Sequence, residues 1–101
     1  MECKKYEGGK IRSWRAEDGA EQIIKEDIGH WKISMHPAPV GVMRSTYITG
    51  PKGEAGNSII EKAAALLDAA SCADDALEDA IVREVMESGL DCRIVRCRGL
   101  C

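Results

Sequence analysis

The most reactive side chains of this 101-residue chain are five cysteines: Cys3, Cys72, Cys92, Cys97 and Cys101. The last three follow one another as C-x4-C-x3-C, with Arg93, Arg96 and Arg98 between and beside them. Thiolates bind soft metals, and neighbouring cations lower a thiol pKa, so Cys92, Cys97 and Cys101 form a candidate metal or thiol set. A zinc knuckle normally uses C-x2-C, which lets two thiolates face one tetrahedral ion, and that spacing is absent here. His30 and His36 are the only histidines available to complete a ligand set or to serve a cysteine nucleophile as base. Neither is tied to Cys97 by spacing. The pattern therefore favours free thiols, some packed as small hydrophobes, and assigns no catalytic residue and no cofactor.

A second constellation is Gly50-Pro51-Lys52-Gly53-Glu54-Ala55-Gly56, followed by Asn57 and Ser58. Glycine-rich loops between a strand and a helix let backbone N–H groups converge on phosphate, and the helix N-terminus adds partial positive charge. Lys52, Gly53, Gly56, Asn57 and Ser58 are thus candidate anion ligands. The loop departs from a Walker motif: Asn57 rather than Lys follows the last glycine, Pro51 lacks an N–H, and Glu54 adds negative charge. A plain strand-to-helix connection accounts for the same residues.

The third feature is charge distribution. The chain has 14 Lys+Arg and 17 Asp+Glu, a net charge of −3. Between Glu54 and Glu87 nine acids face only Lys62 and Arg83, a local balance of −7. Bases gather at Lys4, Lys5, Lys10, Arg12 and Arg15 and again at Arg93, Arg96 and Arg98. If the first and last strands are neighbours, these merge into one basic surface opposite an acidic helical layer. Helix faces are ordinarily charged, but the excess suits a partner protein with a basic surface, such as a nucleic-acid-binding complex. Asp68, Asp74, Asp75, Glu78 and Asp79, with Arg93, Arg96 and Arg98, are the candidate partner-binding residues. Nucleic acid is not expected as a direct ligand, because the acidic layer repels it.

These groups need elements to hold them. In the segment from Ile11 to Ala16, Arg12, Trp14 and Ala16 share one face of a strand, and Asp18-Gly19 is suited to a tight hairpin turn. Residues 20–28 fit either a return strand or a short helix, since Ala20, Ile23, Ile24 and Ile28 approach helical spacing. Trp31 to His36 alternates apolar and polar residues, the clearest strand, and Pro37 and Pro39 end it. A further strand is predicted from Val40 to Thr49. Ser58 and Glu61 have capping-box spacing at the head of a helix with Ile60, Ala63, Ala64, Leu67 and Ala70 on one face. Asp74 or Asp75 caps a second helix, whose stripe is Leu77, Ile81, Val85 and Met86. Gly89 then Leu90 reads as a left-handed helix end, and Cys92 to Arg98 as a last strand.

The expected fold is one α+β domain over residues 1–101. It has a small, mostly antiparallel sheet of three to five strands, with two consecutive helices in the C-terminal half packed on one face. No apolar run is long enough to span a membrane, and residues 1–10 lack a secretory leader's apolar stretch. The odd cysteine count points to a reducing, cytoplasmic setting. With every catalytic constellation incomplete, the expected function is a non-enzymatic interaction module that covers another protein's surface; a homodimer is compatible with this. Phage and mobile-element inhibitors of host defence, anti-CRISPRs among them, share that general size and charge. The alternatives are an anion or nucleotide sensor using Gly50–Gly56 and a cysteine-based metal or thiol protein.

Overall fold

Six strands make up the sheet of the computed structural model, which describes residues 3–8, 11–16, 20–36, 44–70 and 75–98. They are β1 (Cys3–Gly8), β2 (Ile11–Ala16), β3 (Glu21–Glu26), β4 (His30–His36), β5 (Arg44–Pro51) and β6 (Arg93–Arg98). Two helices, α1 (Glu54–Ala69) and α2 (Asp75–Glu87), lie between β5 and β6 in the chain. The sheet order is β1-β2-β3-β4-β5-β6, and every neighbouring pair is antiparallel. This is the α+β arrangement the sequence implies, with one strand beyond the expected upper count. The additional one is β1, from a polar segment without an alternation of its own.

The competition over residues 20–28 resolves as strand. β3 pairs with β2 on one side and β4 on the other, so its backbone groups are satisfied laterally. Its buried residues, Gln22 and Ile24, alternate with half-buried or exposed ones. The condition for one merged basic surface, that the first and last strands adjoin, is not met. β1 and β6 occupy opposite edges, because a meander sets each strand beside its sequence neighbour and β6 extends it beyond β5. The two groups of basic residues therefore form no single surface. The Asp18-Gly19 turn, Pro37, Pro39, residues 40–43, Cys72, Asp74 and Cys101 lie outside the described residues.

Trp14, Ile24, Trp31, Ile33, Met35 and Ile48 from the sheet meet Ile59, Ile60, Ala63, Ala64 and Leu67 of α1 and Ile81, Val82 and Val85 of α2. The buried α2 stripe is thus 78, 81, 82 and 85, with Glu78 buried, and Leu77 packs half-buried against the core as the sequence places it. Met86, placed on that stripe by the sequence, is 69% exposed, since it lies about 100° around the helix from Val85. Gly89 adopts φ 73, and Leu90 packs against the core, as the helix-end pattern implies.

Trp31 organises the join between sheet and helices. Fully buried, it donates its indole N–H to the Pro51 carbonyl at 2.9 Å. A β-carbon on Gly50 would collide with Cζ2 and Cε2 of the indole ring and lie 2.9 Å from Cys92 Sγ. On Gly56 it would collide with the Pro51 carbonyl and lie 2.9 Å from Trp31 Nε1. Helix α1 consequently begins at Glu54, four residues before the Ser58–Glu61 pattern. Its N-cap is Gly53 at φ 136, without a side-chain cap bond, and Ser58 and Glu61 lie exposed within the helix. Gly56→Ala tests this seat. Alanine normally favours a helix by about 1 kcal/mol over glycine, whereas overpacking costs about 1–3 kcal/mol. Urea unfolding should show a net loss of stability.

Candidate functional site

On the helix-covered side of the sheet, the candidate acids are joined to the chain's own strands. Asp68 accepts the indole N–H of buried Trp14 at 2.8 Å. Glu78, 4% exposed, accepts the Thr46 hydroxyl at 2.5 Å, and Arg96 Nε lies 3.9 Å away. Arg96 also approaches Asp79 at 3.6 Å, and Arg12 pairs with Glu61 at 3.1 Å. The strongest acidic excess is therefore partly answered across the layer boundary by Arg12, Trp14, Thr46 and Arg96. Glu78 is a buried structural carboxylate, not an exposed partner contact. Asp79 and Arg96 line a cleft of about 410 Å³ with Val82, Arg83, Met86 and Glu87. The side chains of Asp75 and Arg98 are outside the described set, as is all of Asp74.

The glycine loop is organised around the tryptophan. Gly50 and Pro51 belong to β5, and Gly56 lies in the first turn of α1 under the indole. Lys52 turns to Glu26 at 3.5 Å, while its backbone N–H bonds the Gly29 carbonyl at 3.0 Å. Asn57 N–H closes onto the Gly53 carbonyl at 2.8 Å, and Ser58 faces outward. Close packing and helix initiation thus account for the glycines, and Lys52 is directed to a carboxylate.

Strand alternation also separates the cysteines. Cys92, half-buried, packs against the core on the helix side, whereas Cys97 projects from the opposite face of β6. They form no common ligand pair. Burial, reinforced by Asp91, pushes the Cys92 thiol above its ordinary value, the reverse of the lowering expected from nearby arginines. The arginines are split likewise: Arg93 projects from the open face and Arg96 reaches under α2. Among the described residues no group of three His, Cys, Asp or Glu side chains is arranged to hold a metal.

The other face of the sheet is uncovered by either helix. Register places Ser13, Ile23, Ser34, Tyr47 and Val95 in one row across β2 to β6. The adjoining row is Ile11, Lys25, Lys32, Thr49 and Arg93, with Lys25 directly opposite Lys32. Ile11 and Val95 are 47% and 38% exposed. Lys32 Nζ lies 5.1 Å from the centre of the Tyr47 ring, and His36 meets that ring edge-on at 5.6 Å. His36 Nδ1 is 3.0 Å from the Ser45 hydroxyl, and Arg15 pairs with Glu21 beyond the central row. Among the described residues Lys25, Lys32 and Arg93 enter no ion pair.

Ile23, Lys25, Lys32, Tyr47 and Val95 are not among the candidates that motif and charge spacing single out. The alternation in β4 marks Lys32 as outward-facing, but only the register aligns it with Lys25 and Arg93. No protein-family model, curated protein or solved structure matches the chain.

Two measurements check these assignments. Asp68→Ala removes an acceptor of the buried Trp14 indole and should lower unfolding free energy by about 1–2 kcal/mol, with a smaller loss for Asp68→Asn. The raised Cys92 value means that the folded state holds the thiol proton more tightly than the unfolded chain. That contribution is complete below the ordinary thiol pKa and disappears as pH rises through the folded value. Stability measured across this alkaline window should therefore fall more in the parent chain than in Cys92→Ala.

Proposed function

We propose that the chain is a non-catalytic protein-interaction module that acts by covering a partner's surface, with the open sheet face as its contact. The observation that carries this reading is the set of exposed or half-buried Ile11, Ile23, Tyr47 and Val95 flanked by cations. Protein interfaces combine an apolar, aromatic-containing centre with a polar rim, and this face has that composition. The face is also wide. At about 4.8 Å per strand spacing, β2 to β6 spans roughly 19 Å, which is enough for a broad contact.

The internal ties of Asp68, Glu78 and Asp79 favour the sheet over the helices as the contact side. Separation of Cys92 from Cys97 and the seating of the glycine loop around Trp31 support a binding role over thiol or anion chemistry. Inhibition of a host defence complex, as by a phage or mobile-element protein, is a setting that suits a small surface-covering module. That step rests on size and charge, an analogy below the level of a shared site.

Capture from a cell lysate on immobilised protein tests which face is used. A partner retained by the parent chain should be lost with Ile11→Ser/Val95→Ser and retained with Glu87→Lys on α2. The opposite pattern would return the contact to the helical layer.

A further inference from the structure

We infer that the open face takes a partner of acidic character: a protein segment that presents Asp or Glu side chains around apolar residues. This rests on the interaction-module reading and reverses the charge expected of the partner from composition. Lys25 and Lys32 stand directly opposite each other on adjacent strands, and like charges in that position destabilise a sheet. Arg93 continues their row on β6, across Thr49. Among the described residues no carboxylate pairs with any of the three. Other described cations have carboxylate partners: Arg12 with Glu61, Arg15 with Glu21 on the same open face, Lys52 with Glu26, Lys62 with Glu84 and Arg96 with Asp79. Apart from Arg83 on α2, the described cations without a carboxylate partner thus lie together in one row of the face that the helices leave open.

The shape of the charge favours protein over nucleic acid. Ile11, Ile23 and Val95 are aliphatic and offer no surface on which bases stack. Tyr47, the aromatic side chain described on this face, already has Lys32 against its ring. A second copy of the chain is disfavoured too, because self-pairing would bring the Lys25–Lys32–Arg93 row against its own positive charge. Carboxylates flanking an apolar centre complement both rows at once: the acids meet Lys25, Lys32 and Arg93, and the apolar residues cover Ile23, Tyr47 and Val95.

A random-peptide display library selected on the full chain tests this directly. The expected binders are rich in Asp and Glu interleaved with apolar residues. They should shift the NMR signals of Ile23, Tyr47 and Val95, weaken with salt, and bind about tenfold more weakly to Lys25→Glu/Lys32→Glu. Lys25→Glu alone should melt at a higher temperature than the parent while binding less, because it converts a repulsive cross-strand pair into an attractive one. Binders without acidic enrichment, shifts confined to the helices, no binders at all, or tighter binding of a single-stranded oligothymidylate would each overturn the inference. If these results fail while lysate capture still depends on Ile11 and Val95, only the acidic character is wrong. If capture is also indifferent to those residues, the open-face reading falls with it.

Discussion

The helical layer is seated on the sheet through the indole of Trp31. One large buried ring lies where β4, β5, the start of α1 and the approach to β6 meet, and its N–H must have an acceptor in a dry environment. The Pro51 carbonyl supplies it. Side-chain bulk is excluded at Gly50 and Gly56 so that backbone can close around the ring, and Cys92 packs from the last strand's side. A motif with the outline of a phosphate loop thereby becomes a packing device.

A second set of contacts fixes the helices over the sheet by polar means. Alanine-rich helix faces bury modest area per residue, although Ile59, Ile60, Leu67, Ile81, Val82 and Val85 supply an apolar floor. Around that floor, Trp14–Asp68, Thr46–Glu78, Arg12–Glu61 and Arg96–Asp79 tie strands to helices. Exposed pairs among these contribute little each, since solvent screens them. Glu78 differs because a buried carboxylate requires neighbouring donors and positive charge to be tolerated. Much of the acidity of the helical segment therefore has a structural use, and the surface charge of the molecule differs from what a count along the chain suggests.

Antiparallel sheets commonly cover one face and leave the other to solvent. What distinguishes the open face here is its central cations, Lys25, Lys32 and Arg93, which have no carboxylate partner among the described residues. Two serines stand among aliphatic and aromatic residues in one row, while two lysines oppose each other in the next. Such an arrangement costs some stability in the isolated chain and becomes favourable against an acidic surface.

Local features were legible before folding is considered. Period-two alternation marked β4, a mixed but extended pattern marked β2, apolar spacing marked both helices, and Gly89 before Leu90 marked a left-handed helix end; each depends on residues only a few positions apart. Residues 20–28 resisted the same method because Ile23 and Ile24 suit a helix as well as a strand, and only pairing with β2 and β4 decides between them. Helical spacing sets Glu78 on the face of Ile81, Val82 and Val85, but its partners Thr46 and Arg96 come from two different strands and had no local signal. Nor did the placing of β1 and β6 at opposite edges, or of Lys25 beside Lys32. Register and strand order bring together residues distant in the chain, so the charge of a face, unlike the charge of a segment, exists only once the sheet has formed.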